Sequence, residues 1–282
     1  MQAGTLSRHD IIVSEVQDMK LDGKVALITG GGGGIGGGIA QAFAEKGMKL
    51  VLADINLEHA QAQASEFGDN AIALELDVTS LASWAAVKAA ACQRFGQVDV
   101  LCNNAGISQP RMPLDKIPPE TFARVMAINV NGVYNGIVTF ADDMRQRRSG
   151  HIVNTSSMNG LIAFGTFGAY SGSKFAVTAM SEALRDELAS FDVGVSILFP
   201  GLTRSKMSLG DIESGDIPPQ VAAQGLMEPI WLGRAVAKAI EDNRLYIISH
   251  TEHRAYLEQR YKNILDAFGE PAQPGYLDGR KK

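Results

Sequence analysis

Tyr170 and Lys174 stand four residues apart in the run Tyr-Ser-Gly-Ser-Lys. On a helix that spacing puts both side chains on one face, one turn apart. A phenol titrates near ~10 and is a poor base at neutral pH. An ammonium group beside it favours the phenolate. The pair therefore reads as proton-transfer machinery, with Tyr170 the general acid/base and Lys174 lowering its pKa. Alone the spacing is common, and an exposed tyrosine beside an exposed lysine explains it equally well. A glycine-rich turn far upstream gives it a context.

Residues 24–29, Lys-Val-Ala-Leu-Ile-Thr, read as a buried parallel strand. The nine residues that follow hold eight glycines and Ile35, and helical spacing then runs to Lys46. Strand, glycine turn and helix make a mononucleotide-binding unit, because the bare amides of a helix N-terminus suit a pyrophosphate. Thr29, Gly30, Gly34 and Gly36 fit the spacing T-G-x-x-x-G-x-G, although so many glycines fit several registers. A flexible linker is the competing reading, and the flanking strand and amphipathic helix argue against it. Gly37 and Gly38 fall in the first helical turn, where each costs up to about 1 kcal/mol against alanine. The sequence offers no reason for both.

A second strand ends in Asp54, 24 positions beyond Gly30. An acidic residue there can bind the adenosine ribose hydroxyls and repels a 2′-phosphate. Gly33, Gly37, Ile55 and Asn56 bring no positive charge to that end. NAD is therefore the expected cofactor. Asp54 as a cap for the helix starting near Asn56 is compatible with that role.

The strands expected from apolar runs are 24–29, 49–53, 71–76, 98–102, 150–155, 194–199 and 245–248. Between and after them the helices fall at 35–46, 56–67, 80–95, 119–147, 169–190, 232–241 and 251–267. This alternation predicts a doubly wound, seven-stranded parallel sheet with helices on both faces. The chain is expected to be a single domain from residue 21, with a helical C-terminal extension over 251–282. Residues 203–230 form the one long irregular stretch and read as a lid. Residues 1–20 read as a poorly ordered extension without a secretory apolar core.

The 282 residues are 45% hydrophobic, which suits one large α/β domain. A net charge of −5 without a long basic block argues against nucleic-acid partners. No stretch approaches the ~20 apolar residues of a membrane span. Cys92 and Cys102 show no metal spacing and read as reduced thiols of a cytoplasmic protein. His250 and His253 lack further ligands, so no metal is expected.

With the remaining motifs the chain resembles the short-chain dehydrogenase/reductase family over roughly residues 20–250. The glycine turn comes first, with Gly30, Gly33, Gly34 and Ile35 at cofactor positions. Asp77-Val78 follows the third strand, where the resemblance implies adenine contacts. Asn103-Asn104-Ala105-Gly106 ends the fourth, with Asn104 and Gly106 toward the cofactor. Asn129-Val130-Asn131-Gly132 lies in the long helix and Ser156-Ser157 closes the fifth strand. Tyr170 follows Ser157 by thirteen residues, the family's interval. Pro200-Gly201 ends the sixth strand, and Thr203 lies beyond it. The resemblance implies a Rossmann-like fold and hydride transfer between an alcohol and a nicotinamide. It implies that Ser157 donates to the substrate oxygen and that Lys174 also holds the nicotinamide ribose. It implies that Asn129 holds a water leading to Lys174, where a mid-helix amide satisfied by backbone is the plainer reading.

Met158, Leu161, Ile162, Phe164 and Phe167 lie between Ser157 and Tyr170. The lid adds Met207, Leu209, Ile212, Ile217, Val221, Leu226, Met227 and Trp231. Half of these can be ordinary core. No pair of cations suggests a carboxylate clamp, so the expected substrate is a hydrophobic, aromatic or polycyclic secondary alcohol or its ketone. A nucleotide-sugar epimerase or dehydratase is the alternative enzyme, but only about 80 residues follow Gly201 for its substrate domain. A non-catalytic dinucleotide sensor is the other alternative. Helices 119–147 and 169–190 expose Phe122, Val133, Ile137, Phe175, Val177 and Met180 in part, and the resemblance implies a homotetramer or homodimer paired through them.

Overall fold

The structure is a computed structural model describing residues 19–215, 217, 219–223 and 225–269. The expected N-terminal extension falls almost wholly outside these residues, as do Pro218 and positions 270–282. Seven parallel strands form one sheet: β1 Val25–Thr29, β2 Lys49–Asp54, β3 Ala71–Glu75, β4 Val100–Asn103, β5 Gly150–Thr155, β6 Val193–Phe199 and β7 Tyr246–Ile248. Their order is β3-β2-β1-β4-β5-β6-β7. The order reverses between β1 and β4, and a sheet of this kind opens its ligand crevice at the carboxyl ends beside that point.

Helices cover both faces. They are α1 Gly34–Glu45, α2 Leu57–Ser65, α3 Leu81–Phe95, α4 Pro119–Met126, α5 Gly132–Arg147, α6 Gly168–Ala189, α7 Lys206–Glu213, α8 Pro219–Ala222 and α9 Pro229–Glu241. Successive strand residues serve opposite faces. Ala26 and Ile28 pack with Ile39 and Phe43 of α1 and Leu232 and Val236 of α9. Val25 and Leu27 pack with Trp84 of α3, Phe140 and Met144 of α5, and Leu184 of α6. Both faces are thus buried, which is why the strands read as unbroken apolar runs.

The structure corrects three expectations. The long helix at 119–147 is not uniform: a π turn, Ala127–Asn131, joins α4 to α5 and contains Asn129. Such a wide turn displaces side chains from the helical register and is frequent at functional sites. The stretch after β6 is not irregular, because α7 and α8 lie within it; Ser205 caps α7, with its hydroxyl accepting from the amide of Ser208. Val133 and Val177 are core residues at 2% and 0% exposure. Phe122 is exposed as expected, and the other large apolar residues exposed on α4 and α5 are Tyr134 and Val138.

Among the described residues the chain divides into two compact units, with the division between Ser249 and His250. The second holds α10 Arg254–Asp266, preceded in sequence by a 3₁₀ turn, Thr251–His253. No described helix is long and apolar enough to cross a membrane.

Candidate active site

The glycine turn is shaped by contacts that leave no room for side chains. A Cβ on Gly36 would stand 2.1 Å from the Gly30 carbonyl oxygen, and one on Gly30 would stand 3.1 Å from Ala105 Cα. Gly38 answers the question left by the sequence. Its Cβ would stand 2.4 Å from the backbone of Pro229, and a Cβ on Gly233 would stand 2.1 Å from the Gly38 carbonyl oxygen. Helices α1 and α9 therefore pack backbone to backbone. Gly37 is less constrained, since a Cβ there would meet the flexible end of Gln63.

Thr29 and Asn104 tie this turn to β4. The Thr29 hydroxyl oxygen accepts from the amides of Asn104 and Ala105, each at 2.9 Å. Asn104 donates its side-chain amide to the Thr29 carbonyl at 3.0 Å. Gly33, with φ 140°, faces open space and gives α1 no side-chain cap. The first amides of α1, at Gly34 and Ile35, are left for an anion. Beside them Asp54 accepts from the amides of Gly32 and Asn56, both at 3.0 Å. Asp54 is not the cap of α2; Asn56 is, accepting from the amide of His59 at 3.0 Å. A cradle of bare amides bordered by a carboxylate fits the pyrophosphate and ribose of a dinucleotide.

Asp77 and Val78 lie just past β3. The Asp77 carboxylate accepts from the amide of Thr79 at 2.9 Å and from its hydroxyl at 2.7 Å. Val78 packs against Gly132, and its carbonyl accepts from Trp84 and Asn135. Pro200 and Gly201 follow β6, and the Pro200 carbonyl accepts from the amide of Met158 at 3.0 Å. Thr203 is buried, with its hydroxyl on the Gly201 carbonyl at 3.2 Å.

The proton-transfer residues converge at the ends of β4 and β5. Ser156 is turned away into α6, with its hydroxyl donating to the Lys174 carbonyl at 2.9 Å. Ser157 faces the other way, and its hydroxyl acts on the Tyr170 phenol, favouring the ionised form. Its oxygen accepts from the amide of Asn159 at 3.1 Å, while its own approach to the Pro200 carbonyl is long, at 3.5 Å. Phe167 stands edge-on to Tyr170 at 6.5 Å, and Arg111 lies over the Phe167 ring at 4.8 Å.

Lys174 Nζ donates to the Thr155 carbonyl at 2.9 Å and lies over the Tyr170 ring, 5.7 Å from its centroid. Burial pushes Lys174 itself down to about 8. The Tyr170 pKa is raised: burial dominates, the Ser157 hydrogen bond opposes it, and the Asp211 carboxylate adds to it. The phenol is accordingly protonated at neutral pH.

Asn129 is fully buried on the π turn. Its Oδ1 accepts from the amide of Ile107 at 2.8 Å, and its Nδ2 donates to the Ile107 carbonyl at 2.9 Å and to Ser173 at 3.1 Å. A Cβ on Gly106 would stand 3.2 Å from Asn129 Oδ1 and 3.4 Å from Lys174 Nζ, so Gly106 keeps open the gap between these two groups.

A sequence profile described as short chain dehydrogenase matches residues 24–213. The chain belongs to the short-chain dehydrogenase/reductase family. This is a family of oxidoreductases that bind a nicotinamide dinucleotide. The chain is 32% identical over 262 residues to a C alpha-dehydrogenase of Sphingobium sp. (strain NBRC 103272 / SYK-6), covering 86% of each chain. It is 34% identical over 227 residues to a 3-alpha-(or 20-beta)-hydroxysteroid dehydrogenase of Mycobacterium bovis (strain ATCC BAA-935 / AF2122/97), covering 80% of this chain and 86% of that one. A short chain dehydrogenase/reductase from Burkholderia phymatum, solved in complex with NAD, superposes with a TM-score of 0.80 at 29% identity, covering 92% of this chain and all of that one.

Two residues beside the glycine turn escaped the reading of this dehydrogenase's sequence. A Cβ on Gly34 would stand 3.1 Å from the Cβ of Ser205, and one on Gly32 would stand 2.7 Å from that of His59. Ser205 left a signal in the S-x-x-S capping pattern of 205–208. His59 left none, because only folding brings the start of α2 against Gly32. On the substrate side Met158, Leu161 and Ile162 are core, whereas Phe164 and Phe167 are half-buried. The Val221 side chain lies outside the described atoms.

Proposed function

We propose that this dehydrogenase uses NAD to interconvert a hydrophobic, aromatic or polycyclic secondary alcohol and its ketone by hydride transfer. The observation that carries the reading is the gathering of Tyr170, Ser157 and Lys174 after β5, with Lys174 over the Tyr170 ring and held at the Thr155 carbonyl. When bound, the nicotinamide ring takes or supplies the hydride. Tyr170 moves the proton at the substrate oxygen, giving it in reduction and taking it in oxidation. Its protonated resting state suits reduction directly. Ser157 already accepts from Asn159, so its own hydrogen can turn to the substrate oxygen as charge develops there. Lys174, held at the Thr155 carbonyl, would hold the nicotinamide ribose. Both N–H groups of Asn129 are committed. Its remaining oxygen lone pairs, on side chain and backbone, are what can hold a water leading to Lys174.

The two curated relatives named above, one a C alpha-dehydrogenase and one a hydroxysteroid dehydrogenase, support an apolar alcohol. The half-buried Phe164 and Phe167 beside Tyr170 support it too. The Asp54 carboxylate at the end of β2 supports NAD over NADP, because it would face a 2′-phosphate. The free thiols Cys92 and Cys102 suit a cytoplasmic setting. The exposed Phe122, Tyr134 and Val138 supply an apolar face for a homodimer or homotetramer, and light scattering that shows a monomer at micromolar concentration would refute that assembly.

The test of the reaction is NADH formation or consumption against aliphatic, aromatic and steroid alcohols and their ketones. Turnover should favour the bulky apolar substrates and NAD. Equal catalytic efficiency with NADP would refute the cofactor choice. No turnover across the panel in either direction would refute the substrate class.

A further inference from the structure

The helix that opens the lid begins over the glycine turn, and its first residue is a lysine. Ser205, the N-cap of α7, lies against Gly34. From the next position Lys206 reaches across to α2, where its Nζ lies 2.9 Å from Nε2 and 3.4 Å from Nδ1 of His59. His59 itself stands against Gly32 and within the same turn as Asp54. The lysine therefore spans the mouth of the cradle, from the Gly34 side to the Gly32 side, and Gly33 between them faces open space. Lys206 is exposed, and its hydrogen-bond partners among the described residues are the two ring nitrogens of His59. An ammonium group held at an imidazole, with a carboxylate close by on the ribose side and bare helix amides on the other, is placed for an anion that is not part of the chain.

We propose that Lys206, positioned by His59, is a clasp for the cofactor pyrophosphate and couples lid closure to dinucleotide binding. This rests on the reading of the glycine turn as a dinucleotide site. It adds a cation carried by the lid to a cradle otherwise made of backbone amides. Charge-assisted bonds to phosphate are the stronger kind of hydrogen bond, and this one would tie the N-terminus of α7 to α1 and α2 at once. The lid would then be ordered by cofactor before substrate arrives. It also explains how a segment with exposed Met207 and Leu209 is brought over the site without a substrate to bury them.

Calorimetric titration with ADP-ribose, 2′-phospho-ADP-ribose and adenosine tests the clasp without turnover. Lys206→Ala should weaken ADP-ribose and 2′-phospho-ADP-ribose alike, by roughly 5- to 20-fold, and leave adenosine within about two-fold. Lys206→Arg should restore most of the loss, because it keeps the charge. His59→Gln should cost less than Lys206→Ala. Hydrogen exchange should show the amides of α7 gaining protection with ADP-ribose in the unaltered chain and not in Lys206→Ala. Unchanged ADP-ribose affinity in Lys206→Ala would overturn the clasp and leave the dinucleotide site standing. A loss confined to the 2′-phosphorylated ligand would overturn the pyrophosphate assignment. Failure of the unaltered chain to bind ADP-ribose at all would instead bring down the reading of the turn.

Discussion

The carboxyl edge of the sheet is bordered by the glycine turn after β1 and by the lid after β6, and both contain glycines. In the turn they are set by contact. Gly36 and Gly38 have carbonyl groups at 2.1 and 2.4 Å from where a side chain would begin. In the lid, Gly210, Gly215 and Gly225 have no such neighbours within 4 Å, and only the positive φ of Gly215 and Gly225 restricts substitution. Met207 and Leu209 in the lid are 38% and 40% exposed, whereas Ile39 and Phe43 of α1 are fully buried. One border is rigid enough to hold the part of the ligand that never varies, and the other keeps free the surface that meets a variable one. The same residue type is obligatory in the first and permissive in the second.

The largest effect should come from the chemistry between the two borders. Tyr170→Phe should lower turnover by about 10²- to 10⁴-fold while NAD affinity stays within about three-fold, measured by steady-state kinetics and titration. Turnover above a tenth of the unaltered enzyme would remove Tyr170 from the proton-transfer role. If affinity fell as steeply as turnover, the tyrosine would belong to the cofactor border and the division drawn here would break.

Next, Gly38→Ala should destabilise by about 1–3 kcal/mol through overpacking, because the obstruction is the backbone of Pro229 rather than a movable side chain. Urea unfolding reads this directly. Gly36→Ala should act the same way and also weaken dinucleotide binding, since the Gly30 carbonyl must move. A melt indistinguishable from that of the unaltered chain would show that the α1–α9 contact yields easily.

A third measurement concerns the amino end of β5, away from both borders. His151 of β5 is buried, and its Nε2 hydrogen donates to the Ser196 hydroxyl of β6 at 2.8 Å, because that hydroxyl donates onward to the Arg244 carbonyl. Burial, helped by the Arg185 charge, holds its pKa down to about 3 from an ordinary 6.5. Between those values the unfolded chain binds a proton that the folded chain refuses. The stabilisation is complete above 6.5 and is lost as pH falls toward about 3. His151→Gln should flatten the dependence of unfolding free energy on pH in that window. An unchanged slope would mean other groups govern it.

The smallest effect should lie in the lid. Gly210→Ala sits inside α7 with open space around it, so it should leave stability unchanged or raise it by up to about 1 kcal/mol. A loss of stability would show that the lid is packed more like the glycine turn than its contacts indicate.

The amino-acid order by itself determined the parallel sheet, the turn after β1 and the Tyr170–Lys174 pair. These depend on local patterns: apolar runs long enough to be buried on both faces, glycines between a strand and a helix, and a four-residue spacing. The strand limits agreed within about two residues because Gly and polar residues close each run. Which neighbours those patterns would meet was not written in them. The need for Gly38 follows from Pro229, nearly two hundred residues away. The raised Tyr170 pKa follows from burial, which four-residue spacing alone cannot show. Asn129 sits on a π turn because its amide bonds to Ile107 and Ser173 from two other segments. Val133 and Val177 are buried because rotation about a helix axis, rather than composition, decides which face is covered. His59 and Lys206 are brought together over the glycine turn only when α2 and α7 both pack at the same corner of the sheet, and no spacing within the chain encodes that meeting.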